Sequence, residues 1–517
     1  MINIISLFFN KILHNMKTYN LILLLFFLNL KLCFAVSVAP IFSSHMVLQQ
    51  HKEIAIWGTA SSNEIINITL GNEQKTVKAP KDGNWIVRFA PRKASKEAID
   101  LKVNDYHFKD ILIGEVWLCS GQSNMAFNLR KIDGSKALID SANIASLRFI
   151  KYDLNVPNVS PNGYSPQQLN NANAKRLLKP SSWQQSNKSN VGASYAVAWL
   201  LGKKLTQILD IPVGIIMFAN GGSAMNNWIA YKTLQSDTLT SHFFTQNWLT
   251  NENVYINHRR RCQSAFKSVL KENTVYIPGE FPYRWVCEPS ILFEAGIAPL
   301  KGLAIRGVFW YQGESDAENI KMSKVLFPML ISNWREHFKQ ADLPFVFVQL
   351  PIYDNEHWSL FREIQRQTEM NIKQVYMVST IDIGDNKDLH PTDKQPIGDR
   401  AARLALKHVY GHKLVEFPKL KSWKIKKNKL YLYFSEIGEG FVECKNKLYG
   451  FEIEVREGEF RPIYANLSKN RKVIVIDHFP ENTKSIRYAW SGVPTPSVKL
   501  FNSEKLPLGP FLLNLEQ

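Results

Sequence analysis

Val116-Trp117-Leu118-Cys119-Ser120-Gly121-Gln122-Ser123-Asn124-Met125 is the stretch on which the reading of this chain turns. Its first four residues are apolar without alternation, as in a strand buried on both faces. The run then breaks into small and polar residues, the composition of a loop. Working outward, the same sign recurs. The apolar run 213–219 ends in Asn220-Gly221-Gly222-Ser223, and 307–311 ends in Gln312-Gly313-Glu314-Ser315-Asp316. Runs 345–350 and 375–381 follow, the second leading into Asp382-Ile383-Gly384-Asp385-Asn386-Lys387-Asp388-Leu389-His390-Pro391. Between them, 194–209, 322–338, 361–372 and 395–408 carry helical periodicity. Strands alternating with helices predict an α/β domain over residues 107–410, a parallel sheet sandwiched by helices. Ligands of such sheets bind outside the carboxyl ends of the strands, which is where these polar loops begin.

The flanks have another character. Residues 36–106 contain short β-rich runs at 54–58, 65–70 and 85–89, with the hairpin-type turn Lys81-Asp82-Gly83-Asn84, and predict a small N-terminal β-sandwich. Residues 411–517 return to strand-like alternation at 429–434 and 473–476, a C-terminal β domain. The stretch 231–290, with Arg259-Arg260-Arg261 and scattered aromatics, has no clear period and reads as an insertion near the site.

A chain of 517 residues exceeds one hydrophobic core. Residues 1–35 read as an export signal: Lys17 precedes the apolar run 21–28, and Cys33-Phe34-Ala35 offers small residues at a cleavage site. That run is too short to span a bilayer and is interrupted afterwards by Asn29 and Lys31, so no stable membrane insertion is expected. Cleavage near Ala35 would make the protein periplasmic or extracellular. The net charge of +18 raises nucleic acid as a partner. The lysines are spread out, however, and thickest at 413–429 without a nucleic-acid motif, which favours a solvated face and no nucleic acid. Cys119, Cys262, Cys287 and Cys444 match no zinc spacing; Cys262 and Cys287 are candidates for a disulfide after export.

Each loop alone is a weak signal, but four at one sheet edge fit acyl transfer. A serine nucleophile needs a base within hydrogen-bond reach, and His390 is the one histidine in these loops. The imidazole needs an acceptor on its other nitrogen. Asp388 is the first candidate, with Asp385 and Asp382 behind it and a Ser-His dyad as the alternative. The Ser123 N–H, a Gly221 or Gly222 N–H, and the Gln312 side chain are candidate oxyanion donors. This chemistry needs no metal and no organic cofactor. The stretch is not a G-x-S-x-G elbow, since Asn124-Met125 stands where x-Gly would be.

The four loops resemble those of SGNH-type esterases, which have a flavodoxin-like parallel sheet, and in detail those of the sialate O-acetylesterase family. The similarity rests on Gly121-Gln122-Ser123-Asn124-Met125, Gly221-Gly222-Ser223, Trp310-Tyr311-Gln312-Gly313-Glu314-Ser315-Asp316 and Leu389-His390-Pro391-Thr392-Asp393-Lys394. Met46-Val47-Leu48-Gln49 and Leu506-Pro507-Leu508-Gly509-Pro510-Phe511 extend it to both flanks. The resemblance implies a serine carbohydrate esterase, with Ser123 and His390 catalytic and Gly222 and Gln312 at the oxyanion hole. It also implies that Gln122, Asn124, Ser223, Trp228 and Glu314 line the substrate pocket. The implied partner is an acetylated sugar or glycan, most of all O-acetylated sialic acid. Acetyl-xylan, or a catalytically inactive carbohydrate-binding protein, are the alternatives. The family's pattern is broken at Asn226-Asn227 before Trp228 and at Glu294-Ala295-Gly296.

Overall fold

The computed structural model describes residues 36–442, 447–480, 483–495 and 500–515. The expected export signal and Cys444 lie outside the described residues. The chain divides into two compact units.

The smaller unit holds residues 36–39, 55–88 and 100–107 of the described chain. Its strands Ile65–Leu70 and Asn84–Phe89 bury every second residue, so that each sheet keeps one face dry and one wet. Ile66, Ile68, Leu70, Trp85, Leu101 and Val103 supply its core. Ile65–Leu70 pairs antiparallel with Glu73–Lys78, a strand whose residues are mostly Lys, Glu, Gln and Thr and which carries no apolar alternation.

The larger unit holds residues 40–54, 89–99 and 108–515. Its centre is a parallel sheet in the order Ile144–Lys151, Val213–Ala219, Tyr106–Gly121, Gly307–Tyr311, Phe345–Val348, Val375–Val378, with Gln184–Ser186 antiparallel at the first edge. Five of these strands were expected from their apolar runs. Ile144–Lys151 and Gln184–Ser186 were not: the first carries Arg148 and Lys151, the second is Gln-Gln-Ser, and neither reads as a buried strand.

Successive strand residues face opposite ways. Trp117, Cys119, Phe309 and Tyr311 join Trp199, Leu201, Ala401 and Leu404 of helices Ala196–Leu209 and Gln395–His408 in one core. On the other face an edge-to-face chain of rings runs from Phe218 to Trp228, Trp310 and Trp334, the last on helix Ile320–His337. Helices therefore cover both faces. This is why the strands are apolar throughout.

Residues 411–515 fall within the same unit. They form a seven-stranded antiparallel sheet from Lys419–Lys426 to Phe511–Asn514, with Leu430, Phe451, Ile474, Ile486 and Phe511 in its core. Arg362, fully buried on helix Trp358–Asn371, joins this segment to the α/β core. Its guanidinium donates to the carbonyls of Leu350 and Pro351 on one side and of Ser491 and Gly492 on the other. Four carbonyls stand in for a counter-charge, and burial still pushes its pKa down to about 9.

Candidate active site

The register sets Ala219 and Tyr311 on either side of Gly121, so the three central strands end level and their loops converge. Gly121 has φ +143°, and a Cβ there would stand 2.1 Å from the Tyr311 carbonyl oxygen. Only glycine allows the strand to turn this close to its neighbour. Two residues on, Ser123 Oγ lies 2.7 Å from His390 Nε2, joining residues 267 positions apart. The His390 ring stacks on Phe127, with centroids 6.3 Å apart. Both Ser123 and His390 are half-buried.

His390 is oriented differently from the histidine of a hydrogen-bonded triad. Asp388 Oδ1 accepts the backbone N–H of His390 at 2.7 Å and stands 3.9 Å from Nδ1, beyond hydrogen-bond length. Asp385 caps the N–H groups of Lys387 and Asp388 at 2.7 and 2.8 Å, and Asp382 makes a two-pronged pair with Arg400 at 2.8 and 2.6 Å. All three candidate acids are thus occupied in shaping the loop. Burial, with the nearby Lys394 second, holds the His390 pKa below its usual value, and Asp388 opposes this.

Asn124 links three of the loops. Its Nδ2 donates to Glu314 Oε1 and, at 3.0 Å, to the Leu389 carbonyl; its Oδ1 accepts from Lys394 Nζ at 2.5 Å. The Lys394 amine lies over the Phe127 and Tyr311 rings, 5.4 and 5.2 Å from their centroids, and burial pushes its pKa down to about 7. Burial likewise raises that of Glu314. Lys394 was visible in the sequence as part of the Leu389–Lys394 motif, but its bond to Asn124 was not.

The expected pocket lining is corrected here. Gln122, Asn124, Ser223, Trp228 and Glu314 are all buried. Gln122 Oε1 accepts from the N–H groups of Gly313 and Ser315 at 3.4 Å, and Trp228 Nε1 donates to Ser223 Oγ at 3.0 Å. These side chains brace the loops from behind. Gln312 is also reassigned. Its Nε2 donates to the Ser223 carbonyl at 3.2 Å and to Asp316, which commits both amide hydrogens. Asp316 in turn accepts the Met225 N–H at 3.0 Å. Gln312 therefore positions the Gly222 loop and is not a free oxyanion donor.

The backbone N–H groups of Ser123 and Gly222 are bonded to no acceptor among the described residues. Gly221 lies against Ser123, since a Cβ on it would stand 3.5 Å from Ser123 Cβ. The Gly222 carbonyl accepts from His258 Nε2 at 2.6 Å. A carbonyl partner makes Nε2 the protonated nitrogen, and burial pushes the His258 pKa down to about 4, so the ring is neutral near pH 7. His258 comes from helix Ile256–Ala265 in the segment expected as an insertion. No periodicity marks it, and nothing in the sequence ties it to Gly222.

Cys119, Cys262 and Cys287 are buried free thiols, so the candidate pair Cys262 and Cys287 forms no disulfide. Cys287 Sγ is instead 3.1 Å from Asn220 Nδ2, and burial pushes its thiol up to about 12. No cluster of three or more His, Cys, Asp and Glu side chains that would hold a metal occurs among the described residues. No helix among them is long and apolar enough to cross a membrane.

Comparison with known proteins points to a carbohydrate esterase. Residues 276–407 match the family described as carbohydrate esterase, sialic acid-specific acetylesterase. The chain is 27% identical to the sialate O-acetylesterase of Mus musculus over 92% of its own length and 94% of the relative's. It is also 27% identical to that of Homo sapiens, over 92% of each. A solved structure of a carbohydrate acetylesterase from Xanthomonas citri superposes with a TM-score of 0.74 at 25% identity, covering 93% of this chain and all of that one. Esterase relatives along almost the whole length make this chain similar to the sialate O-acetylesterases and identify it as a carboxylic ester hydrolase.

Proposed function

We propose that the protein removes O-acetyl groups from sugars through an acetyl-serine intermediate, and that O-acetylated sialic acid is its substrate. The observation that carries the serine mechanism is the 2.7 Å contact between Ser123 Oγ and His390 Nε2. In the first step Oγ attacks the acetyl carbonyl while Nε2 takes its proton, then passes that proton to the departing sugar oxygen. In the second step water attacks acetyl-Ser123; Nε2 takes the water proton and returns it to Oγ as acetate leaves. The N–H groups of Ser123 and Gly222 receive the oxyanion in both steps.

The five strands anticipated from the sequence, numbered among themselves along the chain, stand in the order 2-1-3-4-5, with the further parallel strand Ile144–Lys151 outside Val213–Ala219; this order supports a flavodoxin-like SGNH architecture. The names of the mammalian relatives support the sialic acid ester, and the leader-like residues 1–35 support export. Acetate release from 9-O-acetylated sialic acid, measured beside acetylated xylan, tests the substrate. The reading expects the sialic acid ester to be the better substrate by kcat/KM; preference for xylan would overturn it.

A further inference from the structure

The basic run Arg259-Arg260-Arg261 lies on helix Ile256–Ala265. His258 and Arg261, three residues apart, share one side of this helix, and both reach Gly222. Arg261 Nη1 stands 2.9 Å from where a Gly222 Cβ would be, and Asn158 Nδ2 stands 2.7 Å from it. Asn158 Nδ2 also donates to the Gly221 carbonyl at 2.5 Å, which leaves its second amide hydrogen uncommitted. Two nitrogen donors therefore converge beside the loop that lies against Ser123.

Arg261, like its helix neighbour Arg259, differs from four other partly or fully buried arginines of this unit. Arg148 pairs with Asp110, Arg284 with Glu288 and Glu294, and Arg400 with Asp382, while Arg362 is saturated by carbonyls. The half-buried Arg261 side chain has neither an ion pair nor a hydrogen bond among the described residues. A guanidinium removed from much of its water and given no partner is poorly placed for stability alone. Its planar fork matches a carboxylate, and it stands beside the Gly221-Gly222 loop that lies against Ser123.

We propose that Arg261, assisted by Asn158, is the subsite for the carboxylate of an acidic sugar whose acetyl ester is presented to Ser123. The inference rests on the acetyl-ester reading above and supplies a physical reason for an anionic over a neutral sugar. The subsite acts on substrate binding, with its effect in KM.

The test compares acetate release from 9-O-acetylated sialic acid and from its carboxamide, in which the carboxylate is neutralised and the acetyl ester kept. For the wild-type enzyme kcat/KM should be at least about tenfold higher on the acid, the scale of one charge-assisted hydrogen bond, with the difference in KM. Arg261→Met should bring the ratio between the two substrates close to one, and Arg261→Lys should leave an intermediate ratio. Because each ratio is taken within one enzyme, a general loss of activity cancels. Equal use of acid and carboxamide by the wild type overturns the subsite while leaving the esterase reading intact, and so does an unchanged ratio in Arg261→Met. Should Arg261→Met fail to fold, the wild-type and Arg261→Lys ratios decide. Activity on acetylated xylan with none on either sialic acid derivative overturns the substrate reading, and the subsite with it.

Discussion

The two flanks of Ser123 are built differently. On the oxyanion side, Gly222 is held by a wholly buried His258, and Gln312 and Asp316 hold Ser223 and Met225 beside it. On the base side, the loop from Asp385 to Asp388 is exposed, and its carboxylates cap backbone N–H groups rather than the imidazole. His390 takes its bearing from Phe127 and from the Leu389 carbonyl bonded to Asn124. The difference teaches that orientation of a catalytic histidine can come from the packing of its loop, with the carboxylate supplying charge at a distance.

Removing the buried support of the oxyanion flank should have the larger effect. His258→Phe keeps an aromatic ring but withdraws the donor from the Gly222 carbonyl. Losing an oxyanion donor outright costs roughly 10²–10³-fold, so displacing its loop should lower kcat by about tenfold or more with little change in KM. His258→Gln, which restores an N–H, should recover part of kcat. A loss confined to thermal stability, with kcat intact, would separate His258 from catalysis.

The base flank should respond less. If Asp388 acted as a triad acid, Asp388→Asn would cost about 10⁴-fold. The 3.9 Å separation predicts a loss of less than about tenfold in kcat/KM, because Asn still caps the His390 N–H. The pH profile carries the sign. Burial and Lys394 lower the His390 pKa, so the imidazole remains an unprotonated base below its usual value of 6.5. The acid limb of kcat/KM should therefore fall below pH 6.5. Asp388 raises this pKa, so Asp388→Asn should move the limb lower still; an upward shift would contradict the assignment.

The same contrast explains what was legible in the sequence. The central strands were visible because both their faces are dry, which writes unbroken apolar runs such as Val213–Ala219. The Ser123 and His390 loops were visible because each leaves such a strand or precedes a strongly periodic helix. Ile144–Lys151 escaped notice because its Arg148 reaches across to Asp110, a pairing that no local pattern announces. His258 was hidden for a similar reason: its partner is the backbone carbonyl of Gly222, on a loop of another element. Gln312 was placed in the right loop with the wrong task, since the sequence cannot tell where amide hydrogens point. Whether Cys262 and Cys287 pair was open in the sequence, because spacing carries no information on whether two thiols meet.

The central claim is that Ser123 is the nucleophile activated by His390, and acetate release by Ser123→Ala tests it most directly. Removing an essential member of such a unit should lower kcat by at least ~10³ and abolish labelling by a fluorophosphonate probe, with the wild-type adduct mapped to Ser123. Undiminished acetate release by Ser123→Ala, or an adduct on another residue, would contradict the account.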